Sequence, residues 1–102
     1  MDKREVLEKL KKFSDIVVEK YNPLKIVLFG SYAKGTNKEE SDIDVAVIVE
    51  KIDGSFLEKE AGLYKIRRNI DENIEPVLFE AGSDKSGFLD SILSYGEVIY
   101  QR

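Results

Sequence analysis

The chain has 102 residues, 42% apolar and 35% charged, a size and balance that suit one folded domain with a single core and exclude a disordered tail. It contains no cysteine and no histidine, which removes disulfides, thiolate zinc sites and imidazole acid–base catalysis, so any metal must be held by oxygen. Sixteen basic against twenty acidic residues give a net charge of −4, contrary to what a broad nucleic-acid-binding surface needs.

Val6, Leu7, Leu10, Phe13, Ile16 and Val17 recur at helical spacing and predict an amphipathic helix over about residues 2 to 20, stopped by Asn22-Pro23. The opening MDKREVLEKLKK lacks a signal-peptide core and no apolar run approaches the roughly 20 residues that cross a bilayer, so no membrane partner and a cytoplasmic location are expected. Lys25 to Phe29 reads as a short buried strand ending at Gly30, and Ser31 to Ser41 as one helical turn followed by a polar loop. Asp42 to Val49 begins by alternating acid and apolar and becomes wholly apolar, as a strand does when one end reaches a site.

Leu57, Ala61, Leu63, Tyr64, Ile66 and Ile70 predict a second long helix over about Phe56 to Ile70. Ile74 to Phe79 follows as a strand, and Pro76 places it at a sheet edge or with its proline on an unpaired side. Gly82, Ser83 and Gly87 mark a turn before a last short helix at Phe88 to Tyr95, with Glu97 to Tyr100 extended beyond it. The order is that of a single α/β (α+β) domain with a small mixed sheet spanning residues 1–102. Ile26 and Leu28 oppose Val27 and Phe29, and Ala46 and Ile48 share the acidic face of their strand, so both sheet faces are apolar. Helices of the same chain or a second chain could cover them.

The chemistry concentrates in Phe29-Gly30-Ser31, ten residues, then Asp42-Ile43-Asp44-Val45. Two apart on a strand, Asp42 and Asp44 share a face, with backbones about 6.6 Å apart, and carboxylates in that arrangement suit a hard divalent ion. Gly30 lets an anion approach the backbone, and Ser31 supplies a hydroxyl and amide donors at the start of a helical turn. Lys34 on the same turn could neutralise phosphate charge or simply face solvent, and Ser41 and Gly35 suit local turn roles. Arg67-Arg68 could touch phosphate, but fits a solvated helix face better.

The stretch LFGSYAKGTNKEESDIDVAVIV resembles the DNA polymerase β-type nucleotidyltransferases, specifically the minimal single-domain group found as the antitoxin beside a HEPN-domain protein. The resemblance implies a nucleotidyltransferase fold and a third carboxylate on a later strand. Glu75 is the matching position, with Glu80 as the fallback. Tyr32 stands where many such relatives carry arginine, and could stack on a base or pack. The resemblance further implies AMP transfer from ATP, or another NTP, to a hydroxyl, with a tyrosine of a HEPN-domain toxin as acceptor. Asp42, Asp44 and Glu75 would be both catalytic and metal-binding, Gly30, Ser31 and Lys34 nucleotide-binding, and the cofactor Mg²⁺, as two ions, with Mn²⁺ as a substitute. A silent nucleotide-binding antitoxin acting by occlusion is the alternative, and a small-molecule nucleotidyltransferase ranks third. A homo-oligomer stays open.

Overall fold

The computed structural model describes residues 1–83 and 87–102; of the turn expected at Gly82, Ser83 and Gly87, those three residues are described and only 84–86 lie outside. Helix α1 spans Lys3–Tyr21; the side chain of Asp2 accepts a hydrogen bond from the Glu5 N–H at 2.8 Å, and Asn22 closes the helix in the left-handed conformation. Its stripe of Val6, Leu10, Phe13 and Val17 is fully buried, each side chain stabilising the fold by about 1.5–3 kcal/mol.

Strand β1 (Lys25–Phe29) leads through the single turn α2 (Ser31–Lys34) and a loop to β2 (Ile43–Val49), which pairs antiparallel with β1. Helix α3 (Phe56–Arg68), capped by the Ser55 hydroxyl, crosses over to β3 (Ile74–Glu80), which runs parallel to β2. A parallel pair needs such a crossover. Helix α4 (Phe88–Tyr95) then carries the chain to β4 (Glu97–Gln101), antiparallel to β1, giving the sheet order β3-β2-β1-β4.

Strand β3 therefore lies at an edge, as its proline requires. Leu78 N–H points outward and donates to the Glu60 carboxylate at 3.2 Å. Pro76, two residues earlier and so on the same side of the strand, sacrifices no ladder bond.

Alternation sorts the sheet into two cores. Val45, Val47, Ile26 and Leu28 meet α1 and α3, whereas Val27, Phe29, Ala46 and Ile48 meet Leu89 and Ile92 of α4. Both apolar faces are thus covered by helices of the same chain. An ion pair between Lys9 and Asp71 ties α1 to the turn before β3. Among the described residues no helix is long and apolar enough to cross a membrane.

Tyr32 stacks on no base: it is 2% exposed within the α1–α3 core, and its hydroxyl meets no hydrogen-bond partner among the described residues. An unsatisfied buried hydroxyl opposes folding. Tyr32→Phe keeps the ring and removes the orphan, and should raise the unfolding free energy by about 1 kcal/mol in urea titration.

Candidate active site

Three separated stretches meet at one end of the sheet because of how the strands run. Antiparallel pairing sets Phe29, the last residue of β1, opposite Asp44 near the start of β2; parallel pairing sets Glu75 beside the same Asp44. Asp44 and Glu75 belong by alternation to the face that carries Ala46, Val77 and α4. Asp42 precedes β2 and is exposed, and its neighbour Ile43 donates its N–H to Asn73 O at 2.8 Å, joining the two strand entrances.

Gly30 has φ +74°, and a Cβ built on it would stand 2.1 Å from Oδ2 of Asp44. The space a side chain would fill belongs to the carboxylate, so glycine is required for both backbone angle and volume. The Asp44 carboxyl is raised above its ordinary pKa first by burial, then by the charges of Asp42 and Glu75. Asp44 is thus repelled by each of the other two acids at this end of the sheet.

Glu75 has two partners from α3. The Tyr64 hydroxyl donates to Oε2 at 3.3 Å, and Nη1 of Arg67 lies 3.8 Å from Oε1. The Tyr64 phenol is raised by burial and then by Glu75, with Arg67 opposing. Arg67 thus meets Glu75, whereas Arg68 is exposed. Glu80 lies at the far end of β3, where its carboxylate accepts the Ile52 N–H at 2.8 Å and the Ser83 hydroxyl at 3.1 Å; it takes no part in the cluster.

At the start of α2, Gly30 N–H donates to the Tyr95 hydroxyl at 3.1 Å, and the exposed Lys34 ammonium lies 4.7 Å from the centre of the Tyr95 ring. Ser31 opens α2 and Gly35 closes it with φ +76°. The Ser41 hydroxyl accepts Lys38 N–H at 2.7 Å and orders the loop before Asp42. In the sequence Tyr64 and Tyr95 read only as members of helical stripes. Their spacing shows the helix face but not which strand end lies beneath it.

The donor set suits a hard divalent cation, with carboxylates and no nitrogen or sulfur ligand, and the mutual repulsion at Asp44 is of the kind a cation relieves. Among the described residues no three acidic side chains already stand as a metal-holding group, and Glu75 is engaged by Tyr64 and Arg67.

The family model "Polymerase beta, Nucleotidyltransferase" matches residues 8–102. A Methanocaldococcus jannaschii protein named as a protein adenylyltransferase is 32% identical over 100 residues, covering 90% of this chain and 96% of the relative. Among solved structures, one described as a nucleotidyltransferase of Sulfolobus solfataricus shares the fold with TM-score 0.72 at 19% identity, covering 98% of this chain and 84% of that one. A toxin-antitoxin crystal structure with AMP-PNP matches with TM-score 0.64 at 21% identity, covering 90% and 73%.

Two substitutions test the geometry. Gly30→Ala meets both the backbone strain and the Asp44 carboxylate, and should lower the unfolding free energy by about 1–3 kcal/mol in urea titration. Asp44 has a folded-state pKa above its unfolded value, so its charge opposes folding at neutral pH and the opposition fades as pH falls through the raised value. With a chelator present, Asp44→Asn should therefore melt higher at neutral pH. The gain should close in acid, as Asp44 of the wild type becomes protonated.

Proposed function

Because the chain belongs to the polymerase β nucleotidyltransferase family and is a nucleotidyltransferase, we propose that it transfers AMP from ATP to a protein hydroxyl, a tyrosine of a partner HEPN-domain toxin, and so silences that toxin. The carrying observation is the meeting of Gly30, Asp44 and Glu75 at one sheet end. The relative named as a protein adenylyltransferase and the toxin-antitoxin neighbour with AMP-PNP support the substrate and partner classes.

In this reading Asp42, Asp44 and Glu75 would hold magnesium, as two ions, with manganese as a substitute. Bound there, the ions would neutralise triphosphate charge and make the acceptor hydroxyl more acidic. Gly30 and Ser31 form the corner against which the triphosphate sits, Gly30 by making room for the Asp44 carboxylate and Ser31 by donating its hydroxyl, and Lys34 leaves the Tyr95 ring to offset charge on the departing phosphates. The acceptor oxygen forms a bond to the α-phosphorus and the bond from that phosphorus to the pyrophosphate oxygen breaks. Pyrophosphate departs, and the acceptor proton passes to the Glu75 carboxylate.

The purified protein, the product of its neighbouring gene, Mg²⁺ and ATP should yield a partner heavier by whole AMP groups in intact-mass spectrometry. Asp42→Asn and Asp44→Asn should each reduce the rate by roughly 100- to 1,000-fold while the fold persists in circular dichroism. Tight binding of the partner by wild type with no mass gain would replace this reading with inhibition by occlusion.

A further inference from the structure

Glu75 stands on an edge strand with a long side chain whose freedom must be lost before it can act in a fixed geometry. Its two carboxylate oxygens are approached separately: Oε2 by the Tyr64 hydroxyl at 3.3 Å and Oε1 by Arg67 at 3.8 Å. Tyr64 and Arg67 lie three residues apart on α3 and so project from the same helix face.

Arg67 is itself held. Its Nη1 donates to the backbone oxygen of Glu72 and, at 3.2 Å, to that of Ile74, and its guanidinium lies 4.8 Å from the centre of the Tyr64 ring. The carbonyls it grips flank the entrance to β3, so one side chain fixes both the strand start and the carboxylate that follows. A pair of isolated surface charges 3.8 Å apart would contribute little. Here the arginine is only 23% exposed and is anchored by the backbone it bridges.

From this arrangement we infer that Tyr64 and Arg67 are positioning residues, which fix the Glu75 carboxylate at the β3 entrance, in register beside Asp44. The assignment rests on the nucleotidyltransferase reading of that cluster. Hydrogen-bond partners of metal-holding carboxylates typically contribute 10- to 100-fold to metal affinity or activity. Arg67 also sets a positive charge beside Glu75, which lessens the repulsion that Asp44 imposes on it.

Tyr64→Phe removes one hydroxyl and keeps the ring beneath Arg67, and Arg67→Lys keeps the charge and loses the planar fork. Both are compared with Asp44→Asn and wild type in two measurements: Mn²⁺ uptake by electron paramagnetic resonance, and AMP transfer with kcat and the KM for ATP resolved. Tyr64→Phe should weaken Mn²⁺ binding and lower kcat by about tenfold each, with KM for ATP within about twofold and the thermal midpoint near wild type. Arg67→Lys should shift kcat in the same direction. If Asp44→Asn abolishes Mn²⁺ uptake and transfer while Tyr64→Phe alters neither, the positioning role is overturned and the parent reading stands. If Asp44→Asn leaves both intact, the two fall together.

Discussion

The site depends on main-chain pairing around β2. Because β1 runs antiparallel and β3 parallel to it, the end of one neighbour and the start of the other arrive at the same edge of the sheet, with Phe29, Asp44 and Glu75 in one register row. A slip of one residue in either pairing would turn a carboxylate to the opposite face. The hydrophobic sorting that prevents such a slip, with Val45 and Val47 toward α1 and α3 and Ala46 and Ile48 toward α4, therefore also aims the acids. Core packing and chemistry are specified by the same alternation.

That arrangement is electrostatically unfavourable in isolation. Asp44 is partly buried beside two other acids, and Gly30 gives up a side chain to make room for it. Folding tolerates this because the rest of β2 is apolar and buried, so the local penalty is offset by a long strand held from both faces. Concentrating like charges where they repel, with stability supplied elsewhere, is expected where a cationic ligand belongs. On the other flank Tyr95 and Lys34 pack against the Gly30 corner, joining α4 to the site.

Much of this was legible in the sequence wherever one short-range rule governed. The bounds of β1 follow from a β-branched run ended by glycine, and the Gly30–Asp44 meeting from the spacing between two strands that must pair. β4 showed only as an extended end: several of its side chains remain exposed, so it lacks a clean apolar pattern and is a strand chiefly through its ladder with β1. The apolar content of both sheet faces was visible, but whether one chain could cover them depended on α1 and α3 packing on one side and α4 on the other. The partners of Glu75 were beyond reach for the same reason. Tyr64 reads as part of a helical stripe and Arg67 as a solvated charge until the crossover lays α3 along β3. Tyr32 shows the complementary limit, since its residue type allows a ligand contact and only tertiary packing buries it.

The most direct test of the central claim, that the two strand entrances and the glycine-serine corner form one cation-dependent nucleotide site, is a crystal grown with Mn²⁺ and AMP-PNP and measured at the manganese absorption edge. Anomalous density ligated by Asp42, Asp44 and Glu75, with the triphosphate against Gly30 and Ser31, is the predicted result. Manganese and nucleotide bound elsewhere on the molecule, with those three carboxylates untouched, would contradict it.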